Sequence, residues 1–433
     1  MARRRTRIPL DVYLNARLVG QLRRSVGGAV EFQYDEGWLN WESALPVSLS
    51  LPLREERYSG DAVITVLDNL LPDDEPVRRQ IAERVRAESH NVYDLLSKIG
   101  RDCVGALQFL PQGHEPDPVG VVQGRMVHDD EVARRIRSLA MAPLGIDEED
   151  AFRISIAGMQ EKTAFLHWKG QWYLPHGTTA TTHIMKPQIG MLPSGIDLTQ
   201  SVENEHLCLK LTSAFGLPSA RTKIVEFDGV RVLVIERFDR HWDREERLLR
   251  LPQEDCCQAL SVPSSLKYDA DGGPGMSDIL DLLQGSDAPA ADRRLFLKAQ
   301  IVFWLLGATD GHAKNFSVFL RPGFQFNLTP LYDMMSAQPA VDAGKIRRNQ
   351  YKFALAVGNN RHYVMSTILP RHFVQTAERS GVEASVIEEI CAEVIESAER
   401  AIGETLDSLP RGFPESLSDS IIQGVRARLR RLQ

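Results

Sequence analysis

Thr309-Asp310-Gly311-His312-Ala313-Lys314-Asn315 follows directly on the apolar run Phe303-Trp304-Leu305-Leu306. After it come a strand-like stretch (316–320), the turn Arg321-Pro322-Gly323, a second strand-like stretch (324–328), and Leu331-Tyr332-Asp333. An aspartate and an asparagine five positions apart, with a second aspartate delivered by the far end of a hairpin, have the layout of a phosphotransferase centre. The first acid positions or deprotonates an acceptor hydroxyl; the asparagine and the later aspartate are hard oxygen ligands suited to Mg²⁺ on phosphates. Each residue alone also has a plain structural reading: Asp310 capping a turn, Asn315 in the left-handed region, Asp333 capping a helix. Together, at this spacing, they favour the chemical reading.

Such a centre needs a cation on the nucleotide phosphates, supplied from a sheet-rich lobe. Lys186 in His183-Ile184-Met185-Lys186-Pro187 meets that demand, with a surface lysine at a strand end as the alternative. The usual partner is a helix glutamate. Residues 201–215 read as a helix, capped by Ser201 and stopped by Gly216, with Leu207, Leu211 and Ala214 on one face. Glu203 lies on that face and is preferred to Glu205 as the ion-pair partner of Lys186. A phosphate-covering loop is expected early in the lobe, at Ser155-Ile156-Ala157-Gly158-Met159-Gln160-Glu161-Lys162-Thr163. Its single glycine departs from both G-x-G-x-x-G and the Walker pattern. Glu236-Arg237-Phe238, after the strand-like 230–235, is where backbone groups would meet adenine.

Length and composition agree with a multi-domain globular enzyme. The 433 residues suit two or three domains, and 43% hydrophobic with 25% charged residues excludes a disordered or fibrous chain. Lys+Arg 51 against Asp+Glu 58 gives a net charge of −7, so any nucleic-acid contact is local or partner-assisted. Cys103, Cys208, Cys256, Cys257 and Cys391 show no C-x-x-C spacing, which fits reduced thiols in a cytoplasmic protein. The basic start Arg3-Arg4-Arg5-Thr6-Arg7 runs into Ile8-Pro9-Leu10-Asp11 with no apolar leader. No apolar run approaches the roughly 18 residues of a membrane span, so no membrane partner is expected. The arginines at 426, 428, 430 and 431 read as solvated helix charge. No G-x-S-x-G, H-E-x-x-H or dinucleotide fingerprint anchors another chemistry.

Along the chain, 1–110 read as an α+β subdomain and 111–130 as a Pro/Gly-rich linker. Residues 131–250 read as a β-rich nucleotide-binding lobe and 251–433 as an α-helical catalytic lobe. Strands are expected at 152–156, 163–166, 172–174, 183–186 and 230–235, and helices at 277–283, 292–307, 382–401 and 416–432. The fold class is α+β: two lobes, an extra N-terminal subdomain, and an ATP cleft between the lobes.

At this point the sequence resembles the HipA-type toxin kinases, the serine/threonine kinase toxins of bacterial toxin–antitoxin modules associated with persistence. The resemblance runs through Asn69-Leu-Leu-Pro-Asp73, Ser155 to Ala164, Ile184-Met-Lys186-Pro, Glu203-Asn-Glu-His206, Ile235 to Arg240, Leu251-Pro-Gln-Glu-Asp255, Asp310 to Asn315 and Tyr332-Asp333. It implies Asp310 as catalytic aspartate, Asn315 and Asp333 as Mg²⁺ ligands, and Lys186 as the ATP-phosphate lysine. It further implies ATP contacts from Ala157, Gly158, Met159, Gln160, Glu161 and Lys162 in the loop, from Glu236, Arg237 and Phe238, and from His312, Lys314, Asn315, Tyr332 and Asp333. Ser155 matches the serine whose autophosphorylation expels the loop and inactivates the family's kinases. Met159 stands where the family carries a small residue. The resemblance also implies glutamyl-tRNA synthetase as protein substrate, a HipB-like helix-turn-helix antitoxin dimer as partner, and operator DNA bound through that complex. Arg371 and Arg379 are the candidates for DNA contact. Two other readings remain open at this stage: a small-molecule kinase of the same fold, and a non-catalytic antitoxin- and DNA-binding module.

Overall fold

A computed structural model describes residues 8–25, 27–146 and 153–432. The Arg3 to Arg7 cluster and Phe152 lie outside the described residues.

Near the N-terminus, alternation of buried and partly exposed residues, as in Val30–Tyr34, builds a five-stranded antiparallel sheet. Its first hairpin joins Leu10–Leu14 to Arg17–Arg24 through Asn15 and Ala16, both at positive φ, the twist a two-residue turn demands. Leu107–Pro111 closes the sheet on the other side of the first strand. Between them lie the short helix Glu36–Leu39 and three longer ones, Asp61–Asp68, Glu75–Arg84 and Val92–Ile99; Asp74 and Asn91 cap the last two through their side chains.

The chain then enters a six-stranded antiparallel sheet. In spatial order its strands are Thr222–Phe227, Val230–Glu236, His183–Pro187, Thr163–Trp168, Gln171–Pro175 and Gly124–Val127. The edge strand Gly124–Val127 falls within the stretch that reads as linker, and Asp129–Arg137 is helical. Exposed Gly124, Arg125 and Met126 carry none of the apolar alternation that announces a strand, because this edge is held by main-chain pairing to Gln171–Pro175. The strand expected at 152–156 is absent from its described part, 153–156. There Ser155 N donates to Asp102 O at 2.9 Å and its hydroxyl to Leu70 O at 2.7 Å, so this backbone is held by the N-terminal subdomain instead of a neighbouring strand.

Helix Ser201–Ala214 packs on the sheet. Ser201 does not cap it; its hydroxyl accepts from Ile189 N and donates to Gln188 Oε1, which ties the helix start to the chain beyond Lys186. After a three-stranded sheet (Gln253–Asp255, Ser317–Arg321, Gln325–Leu328) the structure is mainly helical. Pro289–Leu306 is its central helix, buried on almost every side, with Ala384–Asp407 and Glu415–Leu432 packed against it. Gly307 ends it at φ +71°, where a Cβ would stand 1.8 Å from the Tyr351 hydroxyl; the chain can therefore turn sharply and present residues 308–315. Arg428 is not solvated: buried in the last helix, it donates to Leu305 O at 2.9 Å, at the end of the central helix, and to Gln338 Oε1 at 2.7 Å.

One hydrophobic core runs through all three parts, from Leu10 to Leu432. The result is an α+β architecture of two lobes with an N-terminal subdomain. The five cysteines are free and buried. Among the described residues, no helix is long and apolar enough to cross a membrane.

Candidate active site

Lys186 lies on His183–Pro187, a strand paired on both sides, and its ammonium reaches across to helix Ser201–Ala214. It meets Glu205 Oε1 at 2.8 Å and Oε2 at 3.0 Å, and Asp333 Oδ1 at 2.5 Å. Glu203 is not its partner. A helix turns about 100° per residue, so positions 203 and 205 face nearly opposite ways. Residues 201–209 are all buried, and the apolar spacing therefore does not single out the face turned to the lysine. Glu203 instead accepts from Gln188 Nε2 at 2.7 Å and pairs with Arg231 at 2.6 Å.

Burial penalises every charge in this cluster, and the pairings decide the outcome. For Lys186, Asp333 and Glu205 outweigh burial and raise the ammonium's pKa. Asp333 is held well below the usual carboxylate range, with Lys186 and Lys162 outweighing burial. Glu205 is pushed up to about 6, because burial and the neighbouring Asp333 charge exceed its share of one lysine. Lys162, buried in the loop, is lowered to about 8.

That loop uses its one glycine at the tightest point. Gly158 has φ +104°, and a Cβ there would stand 2.7 Å from Lys162 Nζ, which donates to Ala157 O at 3.1 Å. Gln160 Nε2 reaches Pro187 O at 3.4 Å, and Met159 points to solvent at 63% exposure, so its bulk is accommodated.

Opposite Lys186, residues 308–315 hold Asp310 and Asn315. The Asn315 amide nitrogen donates to Asp310 O at 2.6 Å and Asp333 O at 3.4 Å, which joins the two aspartate segments and turns Oδ1 away from those carbonyls. Asp333 has φ +55° and begins no helix. The Asp310 carboxylate is 62% exposed and accepts from the Tyr268 hydroxyl at 2.6 Å. His312 is buried against the Tyr268 ring, and burial lowers its pKa.

Together these residues line a cavity of about 620 Å³ between the lobes. Ile156, Ile184, Ile235, Phe238 and Tyr332 give it an apolar end; Lys162, Lys186, Asp310, Asn315 and Asp333 give it a charged one. A planar base and a polyphosphate need that division.

Two lining residues turn their side chains elsewhere. Lys314 Nζ bridges Asn69 O and Asp255 Oδ2, each at 2.7 Å, and so fastens the N-terminal subdomain to the helical lobe. Arg237 is buried among Asp239, Asp102, Thr181 Oγ1 and Cys103 O. The sequence ranks Glu205 behind Glu203 and gives no role to Tyr268 or to the cavity-lining Asp73. Glu205 stands within Glu203-Asn-Glu-His206, and Asp73 within Asn69-Leu-Leu-Pro-Asp73, so those stretches carried the signal; Tyr268 had none.

Comparison with known proteins finds two family models along the chain. A model of the HipA N-terminal domain matches residues 10–110, and one of the HipA-like C-terminal domain matches residues 154–402. The chain belongs to the HipA family. A putative kinase of Sinorhizobium fredii is 32% identical over 402 residues, 92% of each chain. The serine/threonine-protein kinase toxin HipA of Shewanella oneidensis is 29% identical over 343 residues, covering 76% of this chain and 75% of that protein. The solved complex of Shewanella HipA with HipB and operator DNA matches at a TM-score of 0.81 and 25% identity, over 98% of this chain and 96% of that one. The HipA-type two-lobed, kinase-like fold is therefore the fold of this chain.

Proposed function

We propose that this HipA-family protein is an ATP- and Mg²⁺-dependent serine/threonine kinase that acts as the toxin of a toxin–antitoxin pair. The observation that carries this is Lys186 held between Glu205 and Asp333 across the cavity from Asp310 and Asn315. Lys186 and Lys162 would receive the triphosphate, and Asp310 the proton of the acceptor hydroxyl as its oxygen bonds to the γ-phosphorus and the bond to ADP breaks. The oxygen donors suit Mg²⁺: Asn315 has committed only its nitrogen, and Asp333 is an ionised carboxylate. Bound there, the ion would neutralise charge on the phosphates. Glu236 and Phe238 would flank the base, while Arg237 and Lys314 hold the walls of the site.

The Ser155 hydroxyl is fully buried and bonded to Leu70 O. Phosphate there adds about −1.5 to −2 charges and has no room, which supports a self-inactivating expulsion of the loop. The proposed acceptor is glutamyl-tRNA synthetase. The proposed partners are a HipB-like dimer and, through it, operator DNA, with Arg371 and Arg379 at the two ends of helix Pro370–Arg379 as exposed contact candidates. Most of the DNA affinity would come from the antitoxin, given this chain's charge of −7.

Incubation with ATP and Mg²⁺, with and without the synthetase, followed by phosphosite mass spectrometry, tests the reading. Phosphate on Ser155 and on the synthetase is expected, and its absence from both after prior dephosphorylation would overturn it.

A further inference from the structure

The Tyr268 hydroxyl donates to Asp310 Oδ1 at 2.6 Å, the separation of a strong bond to an ionised carboxylate. Its ring stands edge-on to His312 at 4.8 Å, so the hydroxyl is directed at Asp310 by packing as well as by the bond. The surrounding segment is pinned from two directions. On one side Ser264 Oγ donates to Asp68 Oδ2 at 2.6 Å and Lys267 Nζ to Asp73 Oδ2 at 2.7 Å, both in the N-terminal subdomain. On the other, Asp269 accepts from Ala356 N and from Arg361 Nη2, each at 2.7 Å, in the helical lobe.

An acceptor serine or threonine must bring its own hydroxyl to Asp310. Resting on the kinase reading above, we propose that Tyr268 is an acceptor gate: its hydroxyl occupies the acceptor's place at Asp310, and phosphotransfer requires its displacement. Tyr268 is only partly buried, so its ring has a path outward, and Asp310 is open to solvent on its other side. Burial and the adjacent Asp310 charge both raise the phenol's pKa, so it remains a hydrogen-bond donor at neutral pH. The pins at Asp68 and Asp73 make the gate's position a property of the N-terminal subdomain. That subdomain, whose Asn69, Asp73 and Val104 also line the cavity, thereby acquires a role in acceptor selection.

Tyr268→Phe keeps the ring on His312 and removes only the hydroxyl. The test compares it with wild type in two assays: ATP hydrolysis without protein acceptor, where water is the acceptor, and transfer to glutamyl-tRNA synthetase. The gate predicts hydrolysis faster by about threefold to tenfold and a KM for the synthetase lower by a similar factor, the population shift that one lost closing bond sets. ATP binding and kcat for the synthetase should stay within about twofold of wild type on that account. A kcat fall with unchanged KM would make Tyr268 an orienter of Asp310 and overturn the gate, as would unchanged values in both assays. Lack of any turnover in wild type, with water or with the synthetase, would overturn the gate together with the kinase reading, which separates the two failures.

Discussion

Two clusters of buried charge lie within the same fold, and they differ in how completely they are closed. Around residues 236–240, Arg237, Arg240 and Arg250 surround Asp102 and Asp239, with every side chain at 7% exposure or less. Their guanidinium nitrogens reach carboxylates or the carbonyls of Cys103, Gly105, Thr178 and Thr181. In the cleft, one lysine serves two carboxylates, a second lysine sits depressed nearby, and Asp333 remains 36% exposed. The closed cluster has nothing left to offer a ligand and ties the N-terminal subdomain to the nucleotide-binding lobe. The open one has charges that a polyphosphate and a cation would complete. Buried charge by itself therefore does not mark a site; incomplete mutual satisfaction facing a cavity does.

This contrast can be broken at either end. Asp333→Asn should lower phosphotransfer by about 10²- to 10⁴-fold, the several kcal/mol of charge stabilisation a held metal ion supplies, with the melting temperature little changed, as measured by γ-labelled ATP and calorimetry. In the closed cluster the effects should reverse. Asp102→Ala leaves Arg250 buried without a carboxylate and Arg240 with Asp239 alone, and should cost about 3–5 kcal/mol, read from urea denaturation. A variant that stayed stable but lost ATP binding would put the arginine cluster in the site.

The two glutamates of helix Ser201–Ala214 sharpen the same comparison at one-turn resolution. Glu205→Gln should reduce transfer about ten- to a hundredfold, the worth of a charge-assisted pair, whereas Glu203→Gln should stay within about twofold because Arg231 is partly exposed. Equal losses would restore Glu203 as a partner of the site.

That pair also shows what the sequence could and could not convey. The strands expected at 163–166, 172–174, 183–186 and 230–235, the central helix and the grouping of Asp310, Asn315 and Asp333 were legible because hydrophobic periodicity and hairpin spacing determine them locally. The choice between Glu203 and Glu205 was not, since a helix buried all round has no outward face to read. Arg237 and Lys314 were read as nucleotide contacts from the family resemblance, and both do line the cavity, but a motif match does not show where a side chain turns. Only the long-range partners Asp102, Asn69 and Asp255 show that their charges are used to join subdomains. The edge strand Gly124–Val127 and the gate at Tyr268 likewise depend on contacts more than 40 residues away in sequence.

The smallest expected effect is a pH response of the open cluster. Lys162 has its pKa lowered from 10.5 to about 8, chiefly by burial. Below pH 8 it is charged in the folded protein as in the unfolded chain. Between pH 8 and about 10.5 the folded protein alone releases the proton, so this group's contribution to stability rises while attraction for the triphosphate falls. ATP affinity measured by calorimetric titration should weaken as pH passes 8, and Lys162→Met should flatten that step.

The central claim, that the incompletely satisfied cluster is a phosphotransfer site, is tested most directly by γ-labelled ATP with Mg²⁺ on dephosphorylated wild type, Asp310→Asn and Lys186→Met. Label transferred by wild type and by neither folded variant is the predicted result. Equal labelling by all three, or none by wild type, would contradict it.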